Sequence, residues 1–174
     1  APLNDLVEYI PHRFNRSRGA DKTPFQGWPT DEIDRTWLSA YAPGILSSLT
    51  PSQASLLPDT TTRIPVPGRE NEYQATVDVF HQMHCLDVVR MALYRNRYDK
   101  HFYFQNGTVD ECKWVHVVDH CLDQVRQALM CSADISMVPY QWSDVVQGTR
   151  PMVNNMHTCR NYTKILEWAK ERAL

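Results

Sequence analysis

Two long stretches without a helix breaker constrain this chain more than anything else in it. The sequence holds eleven prolines and six glycines, yet none falls between Val77 and Tyr98 or between Val109 and Cys131. Glycine and proline are the strongest local punctuation a chain has, so each stretch reads as a helix. The first is apolar on most sides and should be buried. The remainder is broken up. Residues 1–29 carry Pro2, Pro11, Pro24 and Pro29 and read as an extended arm with turns. Thr30 then caps a short helix with Asp31, Glu32 and Asp34 in its first turn, where carboxylates favour the helix dipole. Ile33 and Trp37 supply its buried stripe, and Pro43-Gly44 ends it. Thr50-Pro51-Ser52-Gln53 is a capping box with proline at the first helical position; it predicts about two turns of helix stopping near Pro58. Residues 59–76 read as a turn or short hairpin. Asn106-Gly107 is a turn, and Thr108-x-x-Glu111 forms a second capping box. Pro139, Gly148 and Pro151 mark a loop. From about Arg160 the tail reads as an amphipathic helix with Ile165, Leu166 and Trp168 inward.

Composition narrows the class. A chain of 174 residues and 20.2 kDa has the size of one domain. A hydrophobic fraction of 43% with 22% charged residues is that of an ordinary globular protein. Eighteen basic against twenty acidic residues leave no basic surplus, which excludes nucleic acid as the expected partner. No apolar run approaches the roughly 18 residues that span a bilayer. The five cysteines contain no CxxC. Three glycosylation sequons begin at Asn15, Asn106 and Asn161. Together these point to an oxidising secretory lumen, with disulfides drawn from Cys85, Cys121, Cys131 and Cys159; the other reading is a cytosolic chain with buried thiols. Cys121 and Cys131 on one straight helix would lie about 15 Å apart and could not pair.

The chemistry is carried by histidines. His81-Gln82-Met83-His84-Cys85 lies in the first predicted helix and His116-Val117-Val118-Asp119-His120-Cys121 in the second. Residues three or four apart share a helical face, so each helix presents two imidazoles. Two such helices facing one another converge four nitrogens, the way bundles build metal sites. His157, ahead of the last helix, can add a fifth. A helical wheel turns Cys121 away from His120, while Cys85 stays nearer the His81 and His84 face. Gln82 and Met83 stand where an HExxH peptidase needs other residues. Asp119 can accept from the N–H of a ligand ring and so orient it, or serve a solvated helix face, and Asp134 can cap a turn or approach the metal. Tyr140 and Trp142 are candidates to line a substrate cleft, or to pack in the core.

These residues resemble a known family. Val79 to Leu86 is similar to the first signature of the fungal UstYa-like proteins, His120 to Asp134 to the second, and His157-Thr158-Cys159-Arg160 to their C-terminal block. The family's second motif is usually HxxHC; here Val117 stands at the first position and the histidine is one residue earlier, at His116. The resemblance implies a copper-dependent oxidoreductase using dioxygen, with one or two copper ions on His81, His84, His116, His120 and His157. Its substrate would be a peptide or other natural-product precursor of fungal secondary metabolism, altered by oxidative cyclisation, hydroxylation, desaturation or halogenation. It also implies a membrane anchor preceding Ala1, hence a single-pass protein of the secretory lumen, and a paralogous or identical partner subunit. The rival readings are a non-catalytic helper and a zinc-stabilised secreted binding module. The expected fold is mainly α: one domain over residues 1–174, with an irregular arm over 1–76, a helical metal-binding core over 77–174, two central His-bearing helices and disulfide cross-links.

Overall fold

The computed structural model describes residues 2–174. Its spine is the helix α3, Asp78–Leu93, the first of the two breaker-free stretches. Because α3 is apolar around most of its circumference, it buries both sides. On one side Phe80 joins Tyr41, Leu49, Trp168 and Ala169 in a core cluster. On the other, Cys85 and Val88 pack with Tyr98, Phe102, Val118 and Cys121.

Helix α1, Asp31–Tyr41, packs on α3 and starts where the sequence says, with the Thr30 hydroxyl accepting from the Ile33 amide at 3.2 Å. A 3-10 turn over Ala42–Gly44 ends it. Strand β1, Tyr9–Arg13, precedes α1, and β2, Ser47–Leu49, follows it. The Thr50 capping box is present, but α2 spans only Pro51–Ala54. Strand β3, Tyr73–Ala75, pairs with β2, and the turn expected over residues 59–76 closes on it through an antiparallel bridge of Arg63 with Tyr73. Helix α4, Arg95–Phe102, is split from α3 at Tyr94. The second breaker-free stretch runs as α5, Glu111–Lys113, a π-helical segment Trp114–Asp119, and α6, His120–Ser132. Its cap is Asp110, which accepts from the Lys113 amide, while the Thr108 hydroxyl turns back to Asn106. Strands β4, Tyr140–Ser143, and β5, Gly148–Pro151, form a hairpin. Strand β6, Met156–Arg160, pairs antiparallel with β1, and α7, Tyr162–Lys170, is capped by Asn161.

Two expectations are corrected here. The fold is mixed α/β rather than mainly α, with 46% helix and 16% strand. The strands form three antiparallel ribbons of two strands each. Two of these pair segments far apart in sequence, such as Tyr9 with Arg160, and carry no local hydrophobic alternation to announce them. All five cysteines stand as free thiols, Cys85 and Cys121 buried inside the core. The expectation of a single-pass membrane protein is also corrected for the described residues, since no described helix is long and apolar enough to cross a membrane.

A charged network locks α1 to α3 and α4. Asp87 is 2% exposed and accepts from Arg90 Nε at 2.6 Å and from the Tyr41 hydroxyl at 3.0 Å. Arg90 continues to Asp34 at 2.9 Å, and Arg97 reaches Asp34 at 2.8 Å. The Arg90 guanidinium also lies over the rings of Trp37 and Tyr98. Close packing beside this network sets one prediction. A methyl group at Gly44 would lie 2.2 Å from the fully buried ring of Phe80. Gly44→Ala should therefore cost about 1–3 kcal/mol, as overpacked cores do. The readout is the denaturant midpoint of unfolding, and an unchanged midpoint would contradict the packing described.

Candidate metal centre

Helices α3 and α6 lie side by side. His81 faces His120 across the seam, ring centroids 5.7 Å apart. Cys85, one turn after His81 on the same face, completes the group. One ligand atom from each of His81, Cys85 and His120 lies within 4.8 Å of the others, and Cys85 Sγ is 3.6 Å from His81 Nε2. The other nitrogen, Nδ1, faces Asp78 Oδ1 at 3.7 Å. That separation is longer than a hydrogen bond, and the opposite nitrogen, Nε2, is the one that faces the Cys85 sulfur. Asp78 is itself held by Gln82, one turn on, at 2.5 Å.

The three donors sit at the edge of the protein. His120 is exposed, His81 partly so, and Cys85 fully buried. Burial pushes the Cys85 thiol up to about 12, helped by the neighbouring Cys121 sulfur. An ion bound there supplies the positive charge that removes a coordinating thiol's proton. Two imidazoles and one sulfur are a chemically sensible set for a soft or borderline ion such as copper or zinc.

The other sequence candidates go elsewhere. His84 lies edge-on to Tyr41, ring centroids 5.5 Å apart, and its pKa is lowered by burial and by the neighbouring His81. His116 is exposed, in the π-helical segment, outside the group of three. A π turn, with its i→i+5 bonding, is how a helix absorbs an added residue, and it falls where this chain has three residues between the two histidines. His157 is occupied on both ring nitrogens, by Asp134 Oδ2 at 2.6 Å and Asn155 Oδ1 at 3.2 Å. It also stacks on Phe14 at 3.6 Å. Asp134 thus both accepts from the Ser136 amide and holds His157. Asp119 is exposed. Tyr140 and Trp142 stand on β4, each more than 60% exposed. Among the sequons, Asn15 and Asn106 sit in turns, and Asn161 is used as the α7 cap.

Sequence reasoning missed Asp78 and undervalued Cys85. Both carried a signal: Asp78 is three residues before His81 and Cys85 four after, so all three share one helical face.

The Asp134 arrangement carries a pH prediction. Hydrogen bonds from Ser136 and then His157 hold this carboxyl down at about 2. Asp34 is held low too: burial raises it, but Tyr98, Arg97 and Arg90 together outweigh that. A carboxylate whose folded pKa is depressed stabilises the fold above its unfolded value and loses that contribution as pH falls through the folded one. Stability should therefore fall between about pH 4 and pH 2. Asp134→Asn should flatten that fall in urea titrations across this range; an identical pH profile would contradict the assignment.

A family model described as mycotoxin biosynthesis protein UstYa matches residues 1–172. The chain belongs to the UstYa family. UstYa relatives include the UstYa family oxidase phomYc of Diaporthe leptostromiformis, 29% identical over 87% of this chain and 60% of its own length. The oxidase ustYa of Aspergillus flavus is 30% identical over 58% of this chain and 43% of its own. The transacylase cctO of Talaromyces islandicus is 25% identical over 96% of this chain and 58% of its own. The chain spans just over half the length of the first of these UstYa relatives. No solved structure matches it.

Proposed function

We propose that this chain forms the catalytic part of a fungal oxidase that uses copper to oxidise a peptide or other natural-product precursor of a secondary metabolite. The observation that carries the reading is the convergence of His81, Cys85 and His120 on one small volume, in a chain whose relatives are named oxidases. Zinc would suit the same donors but has no redox chemistry, so the oxidase relatives favour copper. When bound, copper would supply one-electron oxidation of a C–H or phenol group, with dioxygen as terminal acceptor.

The protein's own residues do the positioning. Cys85 would hold the ion from the buried side, and His81 and His120 would hold it at the surface. Asp78 stands on the Nδ1 side of the His81 ring, whose Nε2 faces Cys85. Cyclisation, hydroxylation, desaturation and halogenation are all outcomes open to a substrate radical formed beside this site.

The transacylase relative raises a second reading, acyl transfer on Cys85 with His81 as base. Full burial of Cys85 and its raised thiol pKa disfavour it, because acyl-transfer cysteines are exposed and acidified. The oxidase reading is tested by metal content and dioxygen uptake in the presence of the precursor. Stoichiometric copper with precursor-dependent uptake is expected. Tightly bound zinc, or a copper-loaded protein that consumes no dioxygen with its precursor, would contradict it and favour the zinc-stabilised module or the helper.

A further inference from the structure

The face opposite in character to the metal centre is a basic hollow beneath the β4–β5 hairpin. We infer that it binds a compact phosphate group. Arg16, Arg18 and Arg150 line a hollow of ≈ 270 Å³ together with Trp142 and Asn154. A fourth guanidinium, Arg13, donates to the Asn154 carbonyl at its rim, at 2.8 Å. Three of these four enter no ion pair among the described residues; Arg16 alone approaches a carboxylate, Asp21, at 3.8 Å and half exposed.

In a chain whose net charge is −2, gathering four guanidiniums near only two carboxylates, Asp21 and the Asp144 that accepts from the Trp142 indole at 3.0 Å, costs repulsion that an anion would relieve. The arrangement is also pinned in advance. The Asn15 side chain accepts from the Ser17 amide at 2.7 Å, and Gln26 donates to the Ser17 carbonyl at 2.7 Å. Ser17 takes a positive φ of 57°, which closes a tight turn between Arg16 and Arg18. The backbone that carries Arg16 and Arg18 is therefore already ordered before a ligand arrives. Arginine forks match the oxygens of phosphate, and several guanidiniums offer more donors than one carboxylate can accept. The volume lies below the 300–1,000 Å³ typical of pockets for drug-sized molecules, which points to a phosphate ester or diphosphate rather than a large polyanion.

The test is calorimetric titration of inorganic pyrophosphate into the metal-depleted chain at constant ionic strength. Saturable one-to-one binding is expected, weakened at least about tenfold, or 1.4 kcal/mol, in the double variant Arg18→Gln with Arg150→Gln. Circular dichroism confirms that the exposed substitutions leave the fold unchanged. Binding by His120→Ala should equal wild type, so the result stands apart from that of the metal centre. Absence of binding, unchanged affinity in the double variant, or equally tight citrate would overturn the inference. So would retention on phosphatidylserine vesicles by a chain that ignores pyrophosphate, which would make the face a lipid-docking surface.

Discussion

Replacing His120 by alanine should weaken copper binding by at least about a hundredfold while leaving the fold intact. Even partners one shell removed from a metal cost 10–100-fold when lost, and His120 is one of three converging donors. Its ring is exposed, so its removal opens no cavity. His81→Ala should act alike. His116→Ala and His157→Ala should leave affinity within about threefold, because His116 lies outside the group and both His157 nitrogens are engaged. Competition titration with a chelator of known affinity gives the numbers. Equal losses at all five histidines would restore the sequence-derived ligand set and contradict this one.

The second large effect is on stability. Asp87→Ala removes a carboxylate buried to 2% exposure and strips Arg90 and Tyr41 of their common partner. Breaking one side of a buried ion pair costs about 3–5 kcal/mol, which for a chain of this size lowers Tm by roughly 6–20 °C. Arg97→Ala, at the open edge of the same network with Asp31 81% exposed, should lower Tm far less, since exposed ion pairs contribute little. Differential scanning calorimetry separates the two, and comparable shifts would mean that Asp87 does not anchor α1 to α3 through Tyr41 and through the Arg90 that reaches Asp34.

Much of this could be read from the chain because the signals were local. Thr30, the Thr50 box and the Trp168 face are each written within one helical turn. The two breaker-free stretches do become the central helices, and the spacing of His81 and His120 within them foretells which elements meet. What escaped was non-local or depended on an exception to helical geometry. Tyr9 cannot announce that it will pair with Arg160, and the β4–β5 hairpin has exposed residues on both faces, so alternation is absent. The π-helical segment shifts the turn that carries His116. His157 looked like a ligand because it is a histidine beside a cysteine; its strand instead lays it against Asp134 and Phe14. Cys85 was weighed as half of a disulfide, although its place one turn after His81 put its sulfur among the donors.

X-ray absorption at the copper edge of the loaded protein tests the central claim most directly. A shell containing one sulfur and two imidazole groups is predicted, with the sulfur lost in Cys85→Ala. A shell of nitrogen and oxygen alone, unchanged by that substitution, would contradict it.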